Sequence, residues 1–394
     1  MKERNEKRPP RKKGIVPIAV LLTIGLVVNI ACGMFYSAIT PFMTANFNPL
    51  LTGQKQVTTG QSLTVEQAAD QSRAMAQELV QEGAVLLKNQ NEALPLAEGT
   101  AVNLFGYSSV DPIYGGSGSG ASDTSSNIDL VTGLTNAGFT VNQELVDFYK
   151  KSGVSRAAQK GFEGSNFTPA EVPAAQYTDT LLQNAKAFSD VAIVTISRVG
   201  GEGADLPTDM SAVVDGSWVR RVADYRGSQR GTGYYNGTYD DSLNEGNDWD
   251  KGDHFLQLSN REEDLLDLVT ANFDNVILVY NSANAFQMDF LKDYPQIKGV
   301  LLCPGTGQSG FEGFGKVVSG EVNPSGRTVD TYVSNLKNAP WWNNFGDFKY
   351  TNTEELNSDS SFFDPAGTTP SFVNYVEGIY VGYKFYETAA DEGL

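Results

Sequence analysis

The sequence predicts an α/β fold in which a mainly parallel sheet carries helices on both faces, an α/β sandwich, preceded by an N-terminal transmembrane helix. Short apolar runs of the kind that buried strands need occur at 102–106, 139–141, 191–196, 276–280 and 300–303. Segments with helical spacing occur at 130–136, 144–151, 174–188, 259–272 and 310–318. Their alternation along the chain predicts the parallel sheet, and a long uncharged stretch near the N-terminus predicts the membrane span.

The N-terminus predicts a membrane-targeting element. Residues 1–14 are basic, and the uncharged residues 15–36 are long enough, at about 1.5 Å per residue, to cross a hydrocarbon layer of about 30 Å. The basic flank predicts a cytoplasmic tail, so we expect a single-pass protein of the cell membrane with its globular part outside the cell. A cleaved signal peptide is the alternative. Residues 37–62, rich in Thr, Asn, Gln and Gly, are interpreted as a linker.

The globular part is expected at 63–335, with a C-terminal extension at 336–394. Thr64 is a candidate N-cap for a helix that continues to Glu82, and Gly83 fits its C-terminal stop. The strand and helix segments listed above follow in alternation. No internal repeat is evident.

The composition is that of an acidic chain with enough apolar residues for a large core. The chain has 394 residues, 40% of them hydrophobic, and a formal net charge of −18. The first 13 residues hold seven of the 29 Lys and Arg and two of the 47 Asp and Glu, which leaves 22 basic and 45 acidic residues in the rest. Such a body argues against nucleic acid or an anionic membrane surface as its partner. Two cysteines and one histidine offer neither a disulfide framework nor a cysteine-type zinc site, and we expect no cofactor and no metal.

Two glycine-rich loops bear on nucleotide binding. The stretch 305–310 follows a predicted strand and precedes a predicted helix, as the dinucleotide fingerprint requires. Residues 320–327 after that helix contain no clear second strand, so the βαβ unit that binds a dinucleotide is incomplete. The stretch 115–120 lacks the lysine of a phosphate-binding loop. Its glycines are interpreted as positions where the backbone approaches a ligand or another domain.

The loop after the strand at 191–196 is the candidate site of chemistry. The strand is β-branched and apolar, and Gly200, Gly201 and Gly203 follow it, so a loop leaves the carboxyl edge of a buried strand. Ligand-handling side chains collect at that edge of an open α/β sheet, which makes Arg198, Glu202 and Asp205 candidate functional residues. The alternative is a surface turn with ordinary solvated charges.

Five motifs occur in an order that points to a known family. They are EGAVLLKN at 82–89 with LPL at 94–96, the glycines of 115–120, GEGAD at 201–205, NPSGR at 323–327 and YVEGIYVGY at 375–383. Together they resemble the α/β-sandwich domain of family-3 glycoside hydrolases. The resemblance covers roughly residues 63–388, most of the chain.

This resemblance implies a β-glucosidase-like enzyme of the retaining type. In such an enzyme one carboxylate attacks the anomeric carbon, and a second, ~5 to 5.5 Å away, protonates the leaving oxygen and later activates water. By similarity, Glu202 matches the family's acid/base residue. Arg198 and Asp205 are expected to organise the loop by ion pairs or hydrogen bonds, with direct sugar contact as the alternative.

The resemblance leaves the nucleophile unaccounted for. In the family it is an aspartate of a separate (β/α)₈ barrel, and no stretch of this chain has room for the ~250 residues of a barrel. Some family members place the sandwich before the barrel, and an N-terminal anchor followed directly by the sandwich resembles that order. The extension at 336–394 is interpreted as leading towards a fibronectin-like domain. We therefore expect one part of an enzyme, truncated or completed by a barrel in another polypeptide, and inactive alone.

Residues 208–255, called the insertion below, depart from the compact α/β pattern. They are polar and aromatic and follow Glu202, which suggests an extension of the acid/base loop. Trp218 and Trp249 are candidates to line a sugar subsite, with packing of a long surface loop as the alternative. Six acidic residues of the insertion lack the EF-hand spacing, which favours a solvated charge run over a calcium site. They are Asp240, Asp241, Glu245, Asp248, Asp250 and Asp253. His254 is interpreted as a surface residue.

The sequence thus predicts two classes of function. The first is a cell-surface sandwich domain that contributes Glu202 to the hydrolysis of a β-linked oligosaccharide or glycoside, with a barrel domain in cis or in trans. The second is a non-catalytic carbohydrate-binding or interaction module. A barrel with a suitably placed aspartate, encoded in the same or a neighbouring reading frame, would favour the first.

Overall fold

The computed structural model describes residues 23–25, 28, 63–116, 120–156, 167–200, 206–217, 219–221, 234–236, 248–344, 372 and 374–393. The chain divides into two compact units, residues 1–65 and 66–394. In the first unit, residues 23–25 and 28 are helical, while the rest of the predicted membrane span at 15–36 and the linker at 37–62 lie outside the described residues. Within the described ranges, no helix combines the length and the apolar character that crossing a membrane requires.

The second unit alternates helices and strands, as the sequence predicts. The helices are α1 (Val65–Gly83), α2 (Leu130–Asn136), α3 (Gln143–Lys151), α4 (Asp179–Phe188), α5 (Met210–Val214), α6 (Asn260–Thr270), α7 (Gly310–Ser319) and α8 (Tyr383–Asp391). The strands are β1 (Val85–Asn89), β2 (Ala101–Phe105), β3 (Thr140–Val141), β4 (Val191–Ser197), β5 (Val219–Arg221), β6 (Tyr234–Asn236), β7 (Asn275–Asn281) and β8 (Ile297–Cys303).

Six of these strands form one sheet in the order β1-β8-β7-β4-β2-β3, and β5 and β6 pair separately as an antiparallel ribbon. The five strands from β8 to β3 run parallel to one another, and β1 runs antiparallel to β8 at one edge. The predicted mainly parallel sheet is therefore confirmed. β1 adds an antiparallel edge strand that follows directly after α1.

The sheet has a hydrophobic core on each face. Every residue of β4 is buried, and successive side chains alternate between the two cores, as the period of two in a strand requires. Val191 and Ile193 pack in the core that α1, α2 and α7 cover, and Ala192 and Val194 pack in the core that α3, α4 and α6 cover. Helices thus cover both faces of the sheet, which explains why β4 reads as a continuous apolar run.

The strand order reverses direction between β2 and β4. From β2 the chain first moves outward to β3, and then returns to β4, β7 and β8 on the other side of β2. In open α/β sheets, such a switch point opens a crevice at the carboxyl ends of the two strands, where ligands bind. A functional site is therefore expected at the carboxyl ends of β2 and β4.

The two glycine-rich loops pack against each other at this same edge of the sheet. A side chain at Gly305 would meet the Tyr114 carbonyl oxygen at 3.1 Å, and the Gly307 amide donates to that oxygen at 2.8 Å. Asn281, at the end of β7, joins the loops because its side chain bonds both backbone groups of Ile113 and the carbonyl of Pro304. These glycines allow close contact within the domain. Among the described residues, no strand follows α7 to complete a dinucleotide-binding unit.

Glycines also bring α7 close to its neighbouring helices. A Cβ at Gly313 would lie 2.4 Å from the Gln77 carbonyl oxygen of α1. A Cβ at Gly315 would lie 2.3 Å from the Gly133 carbonyl oxygen of α2. Both contacts are with backbone, which cannot rotate away, so only glycine fits at these two positions.

Candidate functional site

The carboxyl end of β4 lies at the switch point and carries Ser197 and Arg198. Together with Ser108 after β2, with Arg156 and with Glu262 they line a cavity of about 20 Å³, which has room for about one water molecule. The structure therefore places Arg198, a candidate from the sequence, at the expected edge of the sheet. The surroundings of Arg198 determine what it can do there.

Arg198 is buried, and all five of its N–H groups donate hydrogen bonds within the protein. The two terminal nitrogens form a bidentate ion pair with Glu262, at 2.6 and 2.5 Å. The other three N–H groups donate to the carbonyl oxygens of Ser197, Phe255 and Gln257, at 3.1, 2.6 and 2.5 Å. Since a guanidinium group has five N–H donors, Arg198 has none left for a ligand.

Aromatic rings surround the same guanidinium group. The ring centroids of Phe286, Phe255 and Trp249 lie 4.9, 5.3 and 5.9 Å from the Arg198 Cζ. Trp249, a candidate for a sugar subsite, is only 7% exposed. It belongs to a small separate core with Phe167, Met210, Val213 and Phe255. Packing therefore occupies the Trp249 ring in this structure.

Glu262, the partner of Arg198, also caps the start of α6. Its carboxylate accepts hydrogen bonds from the backbone N–H and the hydroxyl of Ser259, at 2.9 and 3.0 Å, while the Ser259 side chain accepts from the Glu262 N–H. This reciprocal arrangement is a capping box, and the three-residue spacing of Ser259 and Glu262 is typical of that motif. Its pairing with Arg198, 64 residues away, has no local signal.

Arg261, the residue next to Glu262, makes a second buried ion pair. Its Nε donates to Asp248, and its Nη1 donates to the carbonyl oxygen of Glu171 at 3.2 Å. The side chains of Arg261 and Asp248 are 7% and 1% exposed. The backbone N–H of Asn260 also donates to the Asp248 carbonyl oxygen, at 2.9 Å. The first residues of α6 therefore hold Asp248 through both its side chain and its backbone.

Glu171 is a buried carboxyl group beside the end of β2. Its two oxygens accept hydrogen bonds from the backbone N–H groups of Val172, at 2.8 Å, and Tyr107, at 2.9 Å. Burial raises the pKa of Glu171 to about 8, and these two N–H donors act in the opposite direction. Burial therefore favours the neutral acid form of Glu171. Nothing in the local sequence distinguishes this residue from the other glutamates.

His254 is buried, so its interpretation as a surface residue is wrong. It is 1% exposed and its ring lies 5.2 Å from that of Trp342. Nδ1 accepts a hydrogen bond from the Leu256 N–H at 3.2 Å, which leaves the proton on Nε2, where it is donated to the Gln287 side-chain oxygen at 3.2 Å. The neighbouring acidic residues made His254 look solvated, but the fold turns its side chain inward.

The remaining sequence candidates lie outside the described residues. These are Glu202, Asp205 and Trp218, together with Asp240, Asp241 and Glu245 of the acidic group. The other three acidic residues are described. Asp248 is 1% exposed and paired with Arg261, so its interpretation as part of a solvated charge run is wrong. Among the residues that the structure describes, no group of His, Cys, Asp and Glu has the arrangement of a metal site.

Comparison with known proteins identifies a family. The model of the glycosyl hydrolase family 3 C-terminal domain matches residues 84–383. β-Glucosidase A of Butyrivibrio fibrisolvens is 30% identical over 310 residues, which cover 78% of this chain and 31% of that protein. A β-glucosidase of Ruminococcus albus is 25% identical and covers 80% of this chain and 26% of its own length. The chain thus spans between about a quarter and a third of the length of these relatives.

Solved structures show the same fold. β-Glucosidase 3B of Thermotoga neapolitana, in complex with α-D-glucose, aligns with a TM-score of 0.53 at 23% identity and covers 82% of this chain and 37% of its own. A β-glucosidase from Paenibacillus barengoltzii aligns with a TM-score of 0.51 at 26% identity and covers 73% of this chain and 26% of its own. With a family model that matches most of its length and a fold in agreement, the chain belongs to glycosyl hydrolase family 3 and contains the C-terminal, α/β-sandwich domain of that family.

Proposed function

We propose that this chain supplies the general acid/base residue, Glu202, of a retaining β-glycosidase that hydrolyses terminal β-D-glycosides. The relatives are β-glucosidases, and GEGAD at 201–205 resembles the acid/base motif of the family. The nucleophile comes from a barrel domain, in cis or in trans. The chain alone does not turn over glycosides, because one carboxyl group cannot perform both roles of a retaining mechanism.

The fixed position of Arg198 is the observation that supports this proposal best. Arg198 ends β4 at the switch point, and its five hydrogen bonds hold the backbone where the loop begins. Four residue steps separate it from Glu202, and these span at most about 14 Å when fully extended. This limit supports a position of Glu202 near the edge of the sheet where ligands bind in this class of fold. In this proposal Arg198 and Asp205 organise the loop.

The proposed chemistry uses the Glu202 carboxyl group twice. In the first step it donates its proton to the glycosidic oxygen while the nucleophile attacks the anomeric carbon and the bond to the leaving group breaks. In the second step the resulting carboxylate accepts a proton from the water that attacks the glycosyl-enzyme intermediate. The carboxyl group is then protonated again, ready for the next substrate.

We place this reaction outside the cell, next to the membrane. Residues 15–36 would serve as the membrane anchor, with the basic residues 1–14 on the cytoplasmic side. A β-glucoside is uncharged, so the acidic body of the domain does not repel it.

The test combines the full chain with a family-3 barrel domain and compares the parent with Glu202→Gln. The combination should hydrolyse 4-nitrophenyl β-D-glucoside, and Glu202→Gln should slow it by roughly 10² to 10⁴-fold because the proton donor is gone. A 2,4-dinitrophenyl glucoside needs no protonation to leave, so its first step should be nearly unaffected. Azide, a nucleophile that needs no general base, should then restore turnover and yield the glycosyl azide.

Glu321→Gln is the matched control, because it also removes a carboxylate, one that is exposed and pairs with Lys316 at 3.2 Å. It should leave every rate unchanged. A Glu202→Gln variant with the parental rate on 4-nitrophenyl glucoside would remove Glu202 from the mechanism. Binding of β-glucosides without turnover in any pairing would favour the carbohydrate-binding module instead.

A further inference from the structure

Two adjacent residues at the start of α6 hold the two ends of one long chain segment. Glu262 pairs with Arg198, where the chain leaves β4, and Arg261 pairs with Asp248, where the insertion returns to the domain. All four side chains are at most 7% exposed. Buried ion pairs are little screened by salt, and the bidentate pair of Arg198 also fixes the relative orientation of its two groups. We call these two ion pairs the α6 clamp.

Backbone hydrogen bonds extend the clamp into the insertion. Arg198 donates to the carbonyl oxygens of Phe255 and Gln257, so the same side chain holds the end of β4 and the returning chain. The Met210 N–H donates to the Asp253 carbonyl oxygen at 2.6 Å, and the Phe255 N–H donates to the Pro207 carbonyl oxygen at 3.2 Å. The described residues at and next to the base of the insertion, 206–217 and 248–258, are therefore bonded to one another and to the clamp.

A small core gives this base its own packing. Met210 and Val213 from the outgoing stretch and Trp249 and Phe255 from the returning stretch form one buried cluster with Phe167. The Trp249 and Phe255 rings also face the Arg198 guanidinium group. The ion pairs and the small core thus involve neighbouring residues, so the ion pairs stabilise the packing of the core and the core stabilises the ion pairs.

We infer that the α6 clamp positions the acid/base loop, with Glu262 and Asp248 as positioning residues that fix its two ends against one helix turn. The inference rests on the proposed role of Glu202. An acid must come within about 2.6–3.2 Å of the oxygen that it protonates, and a misplacement of about 1 Å can reduce a rate about 10²-fold. A segment anchored at both ends to one rigid helix has far less freedom to misplace the acid than one anchored at a single end.

The test measures how the clamp affects proton donation. In the full chain combined with a family-3 barrel domain, Glu262→Gln and Asp248→Asn should each lower kcat/KM for 4-nitrophenyl β-D-glucoside by roughly tenfold or more. The kcat/KM for the 2,4-dinitrophenyl glucoside, which reports only the first step and whose leaving group needs no proton, should hardly change. Glu262→Asp, which keeps the charge, should recover part of the rate.

Folding and local order are followed in the same variants. Circular dichroism shows whether each variant folds. If Glu262→Gln does not fold, Asp248→Asn serves as the test, because asparagine has the shape of aspartate and keeps one acceptor oxygen. Hydrogen exchange at the Met210 and Phe255 amides, which bond within the base of the insertion, should become faster when either ion pair is removed. Lys316→Gln, which breaks the exposed pair with Glu321, is the control and should change neither exchange nor rate.

Glu202→Gln, assayed in parallel, separates the two hypotheses. If Glu202→Gln itself lowers kcat/KM for both glucosides equally or for neither, the acid/base proposal is wrong. If Glu202→Gln shows the leaving-group dependence but the folded clamp variants lower kcat/KM for both substrates equally, or for neither, the clamp has a structural role only and the inference is overturned. A loss of kcat/KM on the poorer leaving group alone, in both sets of variants, supports it.

Discussion

His254 makes the folded protein sensitive to acid. Its ring is buried beside Trp342, and Nδ1 already accepts the Leu256 N–H. A second proton, on Nδ1, would therefore face the Leu256 N–H, another donor, in a buried environment. Burial lowers the pKa of His254 from 6.5 to about 4, although the hydrogen bond to Gln287 acts in the opposite direction.

We expect the free energy of unfolding to fall as the pH drops from about 6.5 towards 4. Within that range the unfolded chain binds a proton at His254 that the folded chain does not, so stability is present above the unfolded pKa and is lost on acidification. The contribution amounts to about 2 kcal/mol between pH 7 and pH 5. Urea denaturation at both pH values measures it, and His254→Gln, which takes up no proton, should reduce the difference by that amount.

The same residue provides a direct check, because it is the single histidine of the chain. Its imidazole signals in an NMR titration need no assignment. A midpoint near 4 agrees with the structure, whereas a midpoint at 6 or above would contradict the buried, neutral ring.

Single residues also show what can be predicted from sequence. The start of α6 is readable because Ser259 and Glu262 have capping-box spacing. The placement of Arg198 at a strand end is readable because an apolar β-branched run precedes it. The pairing of Arg198 with Glu262 is not, since it depends on how a loop folds back over 64 residues. The burial of His254 is hidden for the same reason.

The position of helix α7 depends on glycine. It lies against α1 at Gly313 and against α2 at Gly315, where the helix backbones are in contact. Phe311, Phe314 and Val317 of the same helix are buried in the core on this face of the sheet. A shift of α7 away from α1 would therefore disturb the whole core on that side.

Gly313→Ala should destabilise the domain. Alanine favours a helix by about 1 kcal/mol over glycine, but its Cβ would lie 2.4 Å from the Gln77 carbonyl oxygen, and overpacking of this kind costs about 1–3 kcal/mol. We expect a lower midpoint in urea for Gly313→Ala. Gly83→Ala is the control, because its Cβ would meet only Pro304 at an ordinary 3.7 Å and should not lower the midpoint. Equal midpoints for the two variants would argue against close contact of α1 and α7.

The sequence predicts the boundaries of helices and strands, and the directions of the strands, only in part. The predicted helix at 174–188 divides into a turn at Ala174–Gln176 and α4, because Thr178 caps α4 by accepting the Leu181 N–H. The apolar residues of β1 are visible in the sequence, but its antiparallel direction is not, since direction depends on which strand it joins. The parallel strands were predictable because helices separate them along the chain.

For the molecule as a whole, charge and hydropathy are distributed very unevenly. The basic residues 1–14 and the uncharged residues 15–36 precede a strongly acidic body. Full-length protein should sediment with cell membranes and resist a carbonate wash, because an uncharged segment of this length partitions into lipid. A variant starting at residue 63 should remain in the supernatant. Soluble protein with the mass of a chain that lacks the leader would favour the cleaved signal peptide.

The architecture of the domain follows from the sequence further than its site does. The alternation of strands and helices predicts the sheet, and the run at 191–196 predicts the edge where Arg198 lies. The small core of Trp249, Met210 and Phe255 was not predictable, because its members are spread over a stretch without periodicity. A helix or strand can be predicted because its apolar residues repeat at a fixed spacing. Contacts between separate loops cannot, because they have no such spacing.

The short outer strands of the sheet have a consequence for crowded solutions. β3 consists of two residues, and β1 has an irregular register between Leu86 and Lys88, while the Gly326 N–H already donates to the carbonyl of Ala84 just before it. Neither margin offers a long, regular row of free backbone groups on which a strand of a second molecule could align. Among the described strands, these borders therefore disfavour strand pairing with a second molecule.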